Sequence, residues 1–235
     1  MKILFAALSL LMLSGCATNG QAPWSALTTS SCAKPSADQE LALNLADDMA
    51  KDGKLHASLA NLQNLPDNLA DVRLRKARVY RLLGRSEAEP LYRSLLGSCR
   101  AAEAEHGLGQ LAAARGDNGL AQAHLQRAAR LSPTDEKIRN DLGVVYLNQL
   151  RLDDARFEFL TAIELKQSDQ LAAVNLVALL IYQDNWQQAG EVVSRAGLSP
   201  EQFSDAQARA EKLKTPTTPR PSSSGQVAIV TDVTK

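Results

Sequence analysis

One feature constrains this 235-residue chain more than any other: side-chain character recurs through its middle with a period of about 34 residues. Three windows align in six columns. Leu108, Leu142 and Leu176 form the first, and Gly109, Gly143 and Val177 the second. Ala112, Tyr146 and Leu180 follow, then Ala121, Ala155 and Ala189. Leu125, Phe159 and Val193 make the fifth, and Ala128, Ala162 and Ala196 the last. A period of this size marks a repeat architecture, in which one unit cannot bury its apolar face alone and stacks on its neighbours. Composition indicates what the unit is made of. The chain holds 36 alanines, and alanine is the strongest helix former, whereas aromatic residues are only 4%. Sheets lean on aromatic and β-branched side chains, so an all-α body is expected. Lys+Arg and Asp+Glu balance at 26 each, which leaves no basic footprint for nucleic acid.

The columns resemble the tetratricopeptide repeat, L-G-x-x-Y followed by A, F and A with a closing proline. The window 136–169 matches best, with Leu142-Gly143, Tyr146, Ala155, Phe159 and Ala162. Small residues let two antiparallel helices approach, and the larger ones fill the holes between them. Gly116-Asp117 and Arg151-Leu152-Asp153 fall at turns within pairs, and Ser132-Pro133 closes the first window because proline cannot continue a helix. Val177 replaces the glycine of the third window, and its closing Pro200 comes one residue early. Two weaker units precede these. Residues 71–96 carry Ala77, Tyr80, Leu83-Gly84, Ala88, Tyr92 and Leu95; residues 38–65 carry Leu45-Ala46, Met49, Gly53, Ala57 and Leu62. The resemblance implies a superhelix of about four to five antiparallel helical pairs over 38–213. Ser199-Pro200-Glu201 starts a final capping helix with a polar outer face.

The flanks read as tethers. Residues 1–15 have the form of a lipoprotein signal peptide: Lys2 precedes an eleven-residue apolar stretch, 3–13. Spanning a bilayer takes about 20 such residues. Leu13-Ser14-Gly15-Cys16 then resembles the bacterial lipobox, which implies cleavage before Cys16 and acylation of its thiol. Ala17 stands where an aspartate would be the usual inner-membrane retention signal, so the expected place is the periplasmic face of the outer membrane. Residues 16–37 form a Ser/Thr/Ala-rich linker. Residues 214–235, rich in Pro, Ser and Thr, are expected to be disordered. Within them Val227-Ala228-Ile229-Val230 is either a frayed end or a strand for a partner's sheet edge. Cys32 and Cys99 would meet an oxidising compartment, as a disulfide or as two free thiols.

Catalytic motifs are missing. His56, His106 and His124 are scattered without metal-ligand spacing, and no HExxH, GxSxG, P-loop or GxGxxG occurs. The expectation is no enzyme, no cofactor and no metal, which leaves a binding surface. In the tetratricopeptide pattern the first helix of each pair lines the groove. That maps onto His106, Gln110 and Ala113, then Asn140, Val144, Leu147 and Asn148. The third set is Leu171, Val174, Ala178, Ile181 and Tyr182, so the third such helix is apolar on its groove side as well. All-round hydrophobicity demands cover on two faces, from a partner peptide or from the chain's own C-terminal helix folding across. The Lys/Asn/Arg carboxylate clamp of some such repeats is absent. The lipobox, the repeats, and Ala196-Gly197-Leu198-Ser199-Pro200-Glu201 before a polar helix resemble the TadD family. These are tetratricopeptide lipoproteins of the tight-adherence (Flp) pilus secretion system. That resemblance implies protein partners, a secretin or other pilus and secretion components, and a pilotin-like role in their assembly or localisation. The contrasting reading is an envelope adaptor that scaffolds cell-wall enzymes.

Overall fold

The computed structural model describes residues 32–168 and 170–215. The signal, the Cys16 anchor, most of the linker and the tail beyond 215 lie outside the described residues. All regular structure among the described residues is α-helical, and it falls into two compact units that divide after Ala101.

The first unit holds α1 (Ala37–Lys51), α2 (Leu55–Gln63), α3 (Ala70–Leu82) and α4 (Ala88–Arg93). Ser36 and Gln39 form a reciprocal capping box that starts α1. Leu43 and Ala46 of α1, Leu59 and Leu62 of α2, and Val72 and Val79 of α3 share one apolar cluster. Ser58 is buried within it and donates its hydroxyl to Ala46 O at 2.7 Å, so its polarity is satisfied. Arg75 Nε ties α3 to α1 through Asp47 Oδ2 at 2.9 Å. Cys32 and Cys99 form a disulfide, with Cα atoms 5.6 Å apart. The covalent loop it closes contains all four helices.

The second unit is built from α5 (Ala101–Ala114), α6 (Asn118–Leu131), α7 (Glu136–Asn148), α8 (Leu152–Leu165), α9 (Gln170–Tyr182), α10 (Trp186–Ala196) and α11 (Pro200–Lys214). The pairs α5/α6, α7/α8 and α9/α10 are the three strong windows; with α1/α2 and α3/α4 they make the antiparallel pairs of the tetratricopeptide pattern. Asn118, Leu152 and Trp186, which open the second helices, stand one repeat period apart. The turns before them repeat too. Gly116, Leu150 and Asp184 occupy one column and all adopt left-handed backbone, with φ of 79°, 57° and 57°. The turn imposes that conformation even where no glycine relieves it.

The glycine column has a measurable reason. A Cβ on Gly143 would stand 2.6 Å from Phe159 Cε1, and one on Gly109 would stand 2.6 Å from Leu125 Cγ. A large side chain of the second helix thus lies directly on the backbone of the first. In the third pair the same two columns hold Val177 and Val193, where a larger residue accompanies a smaller one.

A polar pair crosses each of the first two helical pairs at one register. Glu105 Oε2 of α5 lies 2.6 Å from His124 Nδ1 of α6, and Arg127 Nε donates to Glu105 Oε1 at 2.8 Å. One period on, Arg139 Nη1 of α7 donates to Glu158 Oε2 of α8 at 3.1 Å, with the charges exchanged between helices. Burial pushes the Glu158 carboxyl up against the opposing pull of Arg139. In the third pair the positions are apolar, Ala173 and Val192.

The chain ends differently from the way it repeats. Within the second unit α7 packs on α6 and α9 on α8, the preceding second helices, but α11 packs on α9 rather than on α10. It runs parallel to α9: Gln202 Nε2 donates to Gln170 Oε1 at 2.9 Å, Arg209 donates to Asn175, and Lys214 pairs with Asp184 at 2.8 Å. Residues 172–181 of α9 are all buried in consequence.

Candidate functional site

The candidate site lies on the first helices of the second unit. Asp141 of α7 is its centre. His106 Nε2 of α5 lies 2.7 Å from Asp141 Oδ2, and Gln110 Nε2, one turn further along α5, donates to the same oxygen at 2.7 Å. Asn140 Nδ2 donates to Asp141 Oδ1 at 3.2 Å, while Asn175 Nδ2 of α9 donates to Asn140 Oδ1 at 2.7 Å. With Arg209 on Asn175, a continuous polar line runs from α5 through α7 and α9 to α11. Burial pushes the Asp141 carboxyl up, but the hydrogen bond and charge of His106, with Gln110 and Asn140 donating as well, hold it below the usual carboxylate range.

A cavity of about 220 Å³ opens beside this line, walled by His106, Gln110, Asn140 and Asp141, with Leu171 and Ala172 on its apolar side. At its rim Glu136 pairs with Lys166 at 3.2 Å. Burial raises the Glu136 carboxyl, yet its own backbone hydrogen bond and Lys166 bring it below the ordinary value. Lys137 is exposed beside it, and no ion pair of its ammonium occurs among the described residues. The lining contains no serine, threonine or cysteine. No group of three His, Cys, Asp or Glu able to hold a metal occurs among the described residues. The chemistry on offer is hydrogen bonding from fixed amide and imidazole groups beside an apolar wall. Such a surface suits a peptide.

His106, Gln110, Asn140 and Leu171, read from the sequence as groove residues, come together around this cavity. Val144 and Tyr182 are half-buried on the same helices, and Asn148 is exposed at the end of α7. Four expected groove positions are not available on the surface. Leu147 is part of the core, and Val174, Ala178 and Ile181 lie in one apolar cluster with Ala206 and Ala210 of α11. The physical reason is α11: of the two covers open to the apolar third helix, the chain's own C-terminal helix occupies the place. Asp141, Lys137, Asn175 and Arg209 were missed. A signal existed for two of them, since Asn175 is the lone polar residue in the apolar run 171–182 and Asp141 stands one period before it.

No family model matches the chain. Over 182 residues, 77% of this chain and 74% of that protein, it is 43% identical to the "TPR repeat-containing protein PA4299" of Pseudomonas aeruginosa. Among solved structures, that of Pseudomonas aeruginosa pilF aligns with a TM-score of 0.59 at 16% identity, covering 74% of this chain and 87% of that one. The thermophilic TPR protein TTC0263 of Thermus thermophilus aligns with a TM-score of 0.55 at 19% identity, covering 74% and 98%. At these identities the two structures share the fold with this chain.

Proposed function

The chain belongs to the tetratricopeptide-repeat proteins, and from that premise we propose that it is a non-catalytic, lipid-tethered adaptor of the bacterial outer membrane. Its partner is a protein of a secretion or Flp pilus machine, with a secretin the first candidate, and its role is to help that machine assemble in place. The observation that carries the binding reading is the open cavity beside Asp141, where hydrogen-bonding side chains are fixed in position beside an apolar wall. Preset donors and acceptors on rigid helices lower the ordering cost of capturing an extended segment. The lipobox-like Leu13-Ser14-Gly15-Cys16 supports the tether, and the resemblance of repeats and C-terminal helix to the TadD family supports the choice of machine.

The test joins the two parts. Lys137→Glu with Leu171→Asp alters two exposed positions of the cavity and is expected to leave the fold intact while abolishing co-purification of the secretin. Cys16→Ser is expected to end palmitate labelling and release the protein from membranes. Recovery of the secretin undiminished with the folded double variant refutes the cavity. Recovery of cell-wall hydrolases without any secretin refutes the pilus assignment in favour of an envelope adaptor.

A further inference from the structure

The repeat breaks in one place on the side of the second helices. In the seam that α6 and α8 make with α7, Arg139 donates to Pro133 O at 3.0 Å and to Glu158, and Gln126 donates to Tyr146 Oη at 2.9 Å. One period on, the positions of Arg139, Glu158 and Gln126 hold Ala173, Val192 and Leu160. Three polar side chains give way to aliphatic ones, and the space an arginine takes in the earlier seam is open here. A cavity of about 280 Å³ results, walled by Leu160 and Ile163 of α8, Ala173 and Leu176 of α9, and Val192 and Ala196 of α10. It shares no lining residue with the cavity beside Asp141. Two features mark its rim. Phe157 stands one turn before Leu160 on α8, 64% exposed, and Leu160 is exposed as well. Glu164 of α8 and Arg195 of α10 also line the opening; both are exposed, and neither has an ion pair among the described residues. An exposed aromatic ring beside an open aliphatic cavity is the mark of an interaction surface.

We propose that this face joins two copies of the chain about a twofold axis, with the Phe157 ring of each copy seated in the cavity of the other. A twofold interface uses the same patch on both subunits, so the patch must be complementary to itself. This one holds both halves of each contact: a ring and a socket, a free acid and a free base. A face made for an unrelated protein needs only one half of each. The register agrees with the symmetry. When two α8 helices lie antiparallel about an axis between Leu160 and Thr161, Phe157 of one copy stands opposite Glu164 of the other, on the cavity wall. Each lies about 5 Å from the axis at 1.5 Å per residue. The same arrangement brings Glu164 of one copy toward Arg195 of the other, which gives the apolar centre a charged rim. Nothing in the inference depends on the partner proposed above, because a different surface is used.

The experiment uses the full chain carrying Cys16→Ser, which has no acyl anchor and, with Cys32 and Cys99 bonded, no free thiol. Sedimentation velocity is expected to show dimers at micromolar concentration. Phe157→Glu removes the ring at an exposed position and is expected to weaken the dimer at least tenfold. Val192→Phe fills the socket and is expected to do the same with the ring still present; should it fail to fold by circular dichroism, Phe157→Glu carries the test. Glu164→Arg is expected to weaken association about tenfold, and Glu164→Arg with Arg195→Glu to restore it. Thr161→Cys, beside the axis, is expected to give a disulfide-linked dimer on oxidation, whereas Leu131→Cys, exposed at the end of α6, stays monomeric. Lys137→Glu with Leu171→Asp leaves the dimer unchanged, which keeps this result apart from that of the Asp141 cavity. The proposal is overturned if the chain sediments as a monomer, if dimers persist undiminished in Phe157→Glu, or if Thr161→Cys does not cross-link. A monomeric chain whose cavity captures a different protein, with the capture lost in Phe157→Glu, likewise overturns it.

Discussion

Replacing glycine by alanine inside a helix is ordinarily stabilising, by about 1 kcal/mol. In this chain the same substitution should have opposite signs at two positions of the second unit. At Gly143 the added Cβ would stand 2.6, 2.7 and 3.2 Å from Phe159 Cε1, Cδ1 and Cζ. Carbon atoms rest at about 3.5–4.0 Å, so the ring must retreat by roughly 1 Å. Phe159 is fully buried and has nowhere open to go, and overpacking of that kind costs about 1–3 kcal/mol. Gly190 lies in α10 with nothing within 4 Å of its Cβ position and therefore keeps the propensity gain. The difference between the two variants, in which helix propensity cancels, should thus be about 1–3 kcal/mol. In thermal unfolding that separates their midpoints by about 2–4 °C for each kcal/mol. A double-mutant cycle sharpens the test. With Phe159→Val, the residue type that Val193 places in this column, the Gly143→Ala penalty should disappear. A Gly143→Ala protein as stable as Gly190→Ala, or a penalty unchanged in the Phe159→Val background, would show that close approach is not why glycine stands there.

Three other outcomes are expected. Leu150→Gly should raise stability by about 1 kcal/mol, because Leu150 is exposed and its left-handed backbone is strained for any residue with a Cβ; urea unfolding measures it. Asp184 shares that backbone but also pairs with Lys214, so its replacement reports two effects at once. Breaking Cys32–Cys99 by Cys32→Ser should remove on the order of 4 kcal/mol, since the bond joins positions 67 residues apart. Hydrogen exchange should show the loss in α1–α4, with α7–α9 as the internal reference. The third concerns pH. The Asp141 carboxyl is held below its unfolded value, so its stabilisation is complete above the unfolded pKa and is lost as pH falls through the folded one. Asp141→Asn should therefore lower stability at neutral pH and flatten the acid limb of the midpoint-against-pH curve; an unaltered limb refutes the role given to His106 and Gln110.

What the sequence made legible was what a period can carry. The start of each second helix, the glycine opposite Phe159, and the grouping of His106, Gln110 and Asn140 all follow from one repeated spacing on helices of fixed geometry. The covering of Val174, Ala178 and Ile181 did not, because the direction taken by α11 after Gly197 depends on contacts with a helix two elements back in the chain. Pattern alone placed α11 at the end of the array and left its partner open. Asp141 escaped for a related reason: a carboxylate one position from the groove column looks solvated until His106 and Gln110 are brought to it. Left-handed Leu150 was equally invisible, since leucine carries no mark of such a turn.

The exchanged polar pairs, Glu105 with His124 and Arg139 with Glu158, bear on an assembly problem that any array of near-identical units faces. A chain that slips by one repeat while folding can close α5 on α8 with most apolar columns still matched. That error sets Glu105 against Glu158. Like charges forced together in a water-poor seam cost several kcal/mol, a penalty that appears only in the wrong frame. The alternation of charge thus acts as an address that tells each helix which neighbour is its own.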